Sequence, residues 1–368
     1  MGAHAEALSS LRFQSCIAAL NKNTMGISAL KILKASILFP HAVALIIIPI
    51  LVDYNRLKAP TGKLYLEQAY LKAGLNKARL YLIENPYCFS GIRHDYEESW
   101  FSVIGVPFDG TTSFRPGSRF APSSIRLFST EAETISLDDC IDLEKVPVSD
   151  LGDVAVTFNV EEVLNRVETV CGELLGDSKI PVLLGGEHTI TLGAVRALKP
   201  DLLICFDAHF DYRDEYPQGV KISHATVMRR ISESLCRVVH VGVRATCREE
   251  VEYAHNRRFL TSKQVLEDFS KASEALKSIV EEASRLYVSV DLDVLDPAYA
   301  PGVGNPEACG LSTSMLLKLL DCSITDRLVG MDLVELNPLL DFGGSSTAAA
   351  VRILFQAIVK TAREKGLV

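Results

Sequence analysis

From about residue 81 to its C-terminal end the chain alternates short apolar runs with longer amphipathic ones. FSVIGVP (101–107), KIPVLLGG (179–186), DLLICFD (201–207), CRVVHVGV (236–243), RLYVSVDLD (285–293) and RLVGMDLVE (327–335) are rich in Val, Ile and Leu. Nearly unbroken apolar runs of this length predict strands buried on both faces. Between them, apolar residues at helical spacing predict helices over 189–198, around ATVMRRISESL (225–235), over 263–284 as one long element, and over 346–360. The alternation predicts an α/β fold with a mostly parallel sheet covered by helices, and places its chemistry at the carboxyl ends of the strands. The Gly- and Pro-rich stretch 105–122 reads as a structured loop. It lacks both the GKS/GKT of a phosphate cradle and the GxGxxG of a dinucleotide site.

The first 80 residues break this pattern. They hold ten Lys or Arg against three Asp or Glu, while the whole chain of 368 residues carries a net charge of −8. They also contain ASILFPHAVALIIIPILV (35–52). That run is at the lower limit for a membrane span and is interrupted by Pro40, His41 and Pro49. It also lies too deep in the chain for an ordinary signal peptide. Residues 1–80 therefore read as a basic and apolar extension outside the native core, with Met25 as a second possible start, and residues 81–368 as the catalytic domain. Membrane contact is not expected. The nine cysteines show no CxxC and no paired spacing, so a reducing, cytoplasmic setting is expected and isolated residues such as Cys171 and Cys205 read as core. An acidic chain argues against non-specific nucleic-acid binding and suits a cationic substrate.

The charge becomes informative where carboxylates leave apolar runs. CFDAHFDYRDE (205–215) brings out Asp207, His209 and Asp211, which alternate and would share one side of an extended segment. SVDLDVLDP (289–297) brings out Asp291 and Asp293, and LLGGEH (183–188) presents His188 behind a two-glycine turn. Each motif alone is equally well explained by a capped turn or a backbone-bonded histidine. Together they set two histidines and four carboxylates at three strand ends, where like charges repel unless cations neutralise them. The set exceeds one ion with an open position and suits two ions sharing carboxylates. The ligand types favour Mn, Fe, Co or Zn in an oxygen/nitrogen site over thiolate-held zinc. A water between two such ions loses a proton near neutral pH and attacks an electrophilic carbon, which makes a two-metal hydrolase. His224 in KISHATV is a candidate proton carrier, or a histidine at a helix start. Glu335 in DLVELNP is placed to bind a planar cation through both oxygens, or to pair with a helix arginine.

GGEH, DAHFD, SHAT, SVDLDVLDP and MDLVELNP stand in the order of the ureohydrolase family, which includes arginase and agmatinase, and roughly residues 80–368 resemble it. GVPFDGTTSFRPGSRFAPSSIR and APGVGNPEACGL are similar to its agmatinase branch, archaeal members in particular. The resemblance implies a three-layer arginase-like α/β fold and two Mn²⁺ per subunit. By that resemblance His188, Asp207, Asp211 and Asp291 hold one ion, and Asp207, His209, Asp291 and Asp293 the other. Glu335 orients the guanidinium, Asp293 carries a proton toward the leaving nitrogen, and His224 matches the family's proton shuttle. Ala225 stands where the family usually has glycine. The implied reaction is hydrolysis of agmatine to putrescine and urea. N1-aminopropylagmatine, arginine and other guanidino compounds are the alternatives. Asp214 and Glu215 suit the ammonium of agmatine, or form surface salt bridges, while Arg213 keeps an acid-ended substrate open. Trimeric or hexameric assembly is also implied, with no organic cofactor. A zinc deacetylase-type site and a non-catalytic oligomeric binding protein are the other classes. The doubled aspartates argue against the first and the full ligand set against the second.

Overall fold

The apolar runs pair into one nine-stranded sheet in the computed structural model, which describes residues 77–137 and 139–368. The expectations placed on the apolar run 35–52, on Met25 and on the rest of residues 1–76 lie outside the described residues. The strands are β1 (Leu82–Ile83), β2 (Phe101–Val106), β5 (Val148–Val154), β6 (Ile180–Gly185), β7 (Leu202–Phe206), β8 (Arg237–Val243), β9 (Phe259–Thr261), β10 (Leu286–Asp291) and β11 (Leu328–Val334). A separate two-stranded ribbon joins β3 (Ile135–Ser136) to β4 (Ile141–Asp142). The order across the main sheet is β1-β5-β2-β6-β11-β10-β7-β8-β9. Only β1 runs antiparallel to its neighbour.

Alternation along the buried strands divides the core into two layers. Val182, Leu184, Ile204, Phe206, Val288 and Val290 face one apolar cluster, shared with helices Ala121–Ser129, Phe269–Glu281, Thr313–Ser323 and Ser345–Glu364. Leu183, Leu203, Cys205 and Tyr287 face the other, shared with helices Val160–Gly176, Thr191–Leu198 and Val227–Ser234. This is the three-layer arginase-like fold, with its mostly parallel sheet. Among the described residues no helix is long and apolar enough to cross a membrane.

Two expectations are corrected. The single helix over 263–284 is two helices, Ser262–Glu267 and Phe269–Glu281. The break falls at Asp268, whose side chain caps the second helix by accepting from Lys271 N–H. The loop over 105–122 ends earlier, because Ser118–Phe120 already forms a 3₁₀ turn and a helix begins at Ala121. Packing and hydrogen bonds are also described below residue 81. Ala78 is buried, and Lys77 and Ala78 N–H both donate to the Glu173 carboxylate.

β5, with its polar sequence VSDLGDV, escaped the apolar pattern because its carboxylates answer a distant cation. Arg126, fully buried on helix Ala121–Ser129, holds Asp150 through Nε (2.8 Å) and Nη2 (2.9 Å) and Asp153 through Nη1 (2.6 Å). The strands that matter for chemistry are the middle four. β6, β11, β10 and β7 are adjacent and parallel, so all four end at the same edge of the sheet.

Candidate metal centre

Each of these four strand ends delivers a carboxylate or an imidazole. β6 runs into Gly185-Gly186, where a Cβ on Gly186 would lie 1.9 Å from the carbonyl oxygen of Phe108, so only glycine fits the turn that presents His188. β7 stops at Phe206, and Asp207 to Asp211 are not strand. The expectation that strand alternation aligns Asp207, His209 and Asp211 is therefore corrected. They converge through a turn in which Asp207 Oδ1 accepts from His209 N–H at 2.6 Å and Asp211 takes a left-handed φ of 51°. β10 ends on Asp291, which caps a 3₁₀ turn and accepts from Asp293 N–H at 2.9 Å. Glu335 follows β11 with φ 65°. Such a backbone costs a non-glycine residue on the order of 1–3 kcal/mol, and it is held here at two charged positions.

The six residues meet. His188 Nδ1 lies 3.0 Å from Asp211, 3.3 Å from Asp207 and 3.4 Å from Asp291. His209 Nδ1 lies 3.0 Å from Asp293 and 3.6 Å from Asp207. Although three carboxylate oxygens crowd it, the buried His188 Nδ1 makes no well-aligned hydrogen bond to any of the described residues. A ring nitrogen held 3.0–3.4 Å from oxygens of three carboxylates marks a place where a cation at their common centre would be bound by all of them. Burial and the charge of Asp207 push Asp211 up to about 7, and burial with Asp293 and Asp207 raises Asp291 well above the carboxylate range. Burial opposes a charge on His209 as well, but Asp293 and Asp207 raise it to about 12. The chain alone thus strains against ionising all its acids, and a pair of divalent ions removes that strain. His188, Cys205 and Asp207, and likewise Asp207, His209 and Asp293, bring ligand atoms within 4.8 Å of one another. They form a buried two-metal His/Asp/Cys site. The Cys205 thiol stands on the far side of the imidazole, 3.9 Å from Nε2, and burial keeps it protonated by raising its pKa.

A cavity of about 470 Å³ opens above these groups, lined by His209, Asp211, Asp291, Asp293, Glu335 and His224. Glu335 Oε1 accepts from His188 N–H at 2.8 Å, so one of its oxygens is already engaged, and among the described residues no arginine pairs with it. Burial and the neighbouring Glu187 push it up to about 8. His224 precedes its helix rather than starting it, with Nε2 3.1 Å from Ser113 Oγ, and burial lowers its pKa to about 4. Asp214 and Glu215 do not line this cavity. Asp214 is bound by Lys221 and Arg230, and Glu215 by Lys221 and Gly219 N–H, because an exposed carboxylate beside basic side chains pairs with them. The cavity wall carries Arg213 and Glu307 instead.

Sequence reasoning missed Glu187, which is buried and accepts from Thr111, Thr112 and Thr189 and so pins the loop that carries Ser113 to His224. It read Cys205 as core, which it is, and missed that the thiol also lies 3.9 Å from His188 Nε2 and 3.8 Å from Asp207 Oδ2.

A family model described as "Arginase family" matches residues 99–359. The agmatinase of Pyrococcus horikoshii is 35% identical over 280 residues, covering 73% of this chain and 94% of that one. The N(1)-aminopropylagmatine ureohydrolase of Thermococcus kodakarensis is 35% identical over 266 residues, covering 71% and 91%. The solved agmatine ureohydrolase of Thermoplasma volcanium superposes with a TM-score of 0.69 at 38% identity, covering 73% of this chain and 92% of that chain. The chain belongs to the arginase family of ureohydrolases, with catalysis on a guanidino or amidine substrate through a two-metal site.

Proposed function

We propose that the protein hydrolyses agmatine to putrescine and urea with two Mn²⁺ as cofactor. The observation that carries this reading is the convergence of His188, His209 and four aspartates, of which His209, Asp211, Asp291 and Asp293 line a cavity that also presents Glu335. The activities named for the Pyrococcus and Thermoplasma relatives support agmatine. In this reading His188, Asp207, Asp211 and Asp291 hold one ion, and Asp207, His209, Asp291 and Asp293 hold the other. When bound, the ions supply the Lewis acidity that makes a water nucleophilic near neutral pH.

The protein's own groups do the rest. Glu335 receives the planar guanidinium on its free oxygen and on the second lone pair of Oε1, and the cation in turn favours the ionised carboxylate. A carboxylate oxygen of Asp293 takes up the proton given by the attacking water and delivers it to the departing amine, which must be protonated before the C–N bond breaks. His224 is neutral at working pH and accepts protons at its ring nitrogens, relaying them between the cavity and bulk water. Glu307, whose carboxylate accepts no hydrogen bond from the described residues, replaces Asp214 and Glu215 as partner for the distal ammonium. A second reading, an acid-ended guanidino substrate, is favoured by Arg213. Its guanidinium lies 4.5 Å from the Tyr216 ring and pairs with no carboxylate among the described residues.

Urea release by the manganese-loaded protein from agmatine, N1-aminopropylagmatine, arginine and 4-guanidinobutyrate separates the readings. Agmatine is expected to give the highest kcat/KM. A preference for guanidinobutyrate or arginine would overturn the assignment, and a preference for the aminopropyl compound would lengthen the substrate.

A further inference from the structure

Behind the His188 ring, on the side away from the carboxylates, runs a chain of buried hydrogen bonds. Nε2 faces Ser289 Oγ at 2.9 Å, and Ser289 donates to Asp332 Oδ1 at 2.6 Å. Asp332 Oδ2 accepts from Tyr287 OH at 2.7 Å and from Thr191 Oγ1 at 2.8 Å. All four partners are fully buried. Ser289 and Asp332 are opposed in the register of β10 and β11, and Thr191 opens the helix that follows His188. On β10, Tyr287, Ser289 and Asp291 share one face, so this chain of bonds and the metal-facing carboxylate alternate along one strand.

The direction of these bonds has a consequence. A carboxylate that takes hydroxyl protons from Thr191 and Tyr287 accepts only, and a serine has a single proton to give. With that proton committed to Asp332, Ser289 can offer Nε2 only a lone pair, so the ring proton sits on Nε2. Nδ1 is then left with its lone pair, facing the space between Asp207, Asp211 and Asp291. We propose that Asp332, acting through Ser289, is a positioning residue that fixes the tautomer and orientation of His188 and so prepares Nδ1 for a divalent cation. This rests on the reading of His188 as a metal ligand. Partners of this kind raise metal affinity by orienting the imidazole and increasing its basicity. If Asp332 were only a buried acid satisfied by three hydroxyls, losing any one of them would affect stability alone.

The test is a titration of the metal-free full chain with Mn²⁺, read by loss of the free-ion EPR signal, beside thermal unfolding of the same samples. Ser289→Ala is expected to weaken the tighter Mn²⁺ site by roughly 10- to 100-fold. Asp332→Asn is expected to weaken it at least as far. Its amide can donate to Ser289, which turns the serine proton onto Nε2 and moves the ring proton to Nδ1. Ser289→Thr keeps the hydroxyl and is expected to restore binding. Tyr287→Phe removes a bond to the same carboxylate without touching Ser289, and is expected to lower Tm but leave affinity near that of the parent. Should Ser289→Ala not fold, Ser289→Cys, a weaker acceptor of similar shape, carries the same comparison. Parental affinity in Ser289→Ala, or an equal loss in Tyr287→Phe, overturns the proposal. His188→Asn separates it from the reading beneath. If that variant still binds two ions at parental affinity, the ligand assignment itself fails. If it loses an ion while Ser289→Ala does not, only the positioning role fails.

Discussion

Asp291 is the residue at which the metal reading is easiest to break. It faces His188 Nδ1 with one oxygen and caps the following turn with the other. Asp291→Asn keeps volume and cap but removes a charge. The variant should fold, bind fewer than two Mn²⁺ and lose most urea release. Because the empty acid cluster is repulsive, its metal-free form should be no less stable than the parent's. Metal analysis with calorimetry checks this, and full activity with two ions per chain would remove Asp291 from the site. Glu335→Gln makes the complementary case. Its amide oxygen can go on accepting from His188 N–H, but its NH₂ now faces the donors of the guanidinium. Metal content should stay at two while kcat/KM falls roughly 100-fold or more, as when one group that meets transition-state charge is removed. Loss of both ions would instead make Glu335 a support of the metal cluster.

At the level of elements, the tie between helix Ala121–Ser129 and β5 is a buried ion cluster. Arg126→Met would leave Asp150 and Asp153 without their cation, and should cost about 3–5 kcal/mol of stability in a denaturant titration. The break between helices Ser262–Glu267 and Phe269–Glu281 is cheaper to disturb. Asp268→Ala removes one cap and should cost ~1 kcal/mol by the same measurement. These two places also mark what could be read from the chain in advance. β6, β7, β10 and β11 were legible because unbroken Val/Ile/Leu runs have few other uses. The acids after them were legible as a metal centre because two histidines and four carboxylates leave three strand ends together, more like charge than capped turns account for. β5 was not, since its acids are satisfied by an arginine far away in sequence. The cap at Asp268 hides inside a helical apolar period that continues across it. The turn that gathers Asp207, His209 and Asp211 was mistaken for a pleat because both bring alternate residues together, and the left-handed Asp211 and the Asp207–His209 hydrogen bond distinguish them. Ser289 and Asp332 carried a signal that went unused, each being a polar residue in the middle of an apolar run.

For the whole molecule, metal and stability are linked. Ions that bind only the folded chain add about 2.7 kcal/mol per site at a hundredfold excess over Kd. Chelation should therefore lower Tm and abolish urea release, and added Mn²⁺ should restore both. If Tm did not move, the cluster would not be a site that the fold depends on. The N-terminal extension makes a second test at this scale. A chain beginning at Lys77, which keeps the contacts to Glu173, should remain soluble and release urea like the full chain, whereas loss of folding would show the extension to be integral. Finally, the four strands that end at the metals are the middle four of nine, while the outermost, β1 and β9, are two and three residues long. Amide hydrogen exchange should therefore be graded from the margins inward, with β1 and β9 exchanging through local opening and β6, β7, β10 and β11 only when the whole domain unfolds. An enzyme built this way can breathe at its rim without changing the spacing of its ligands.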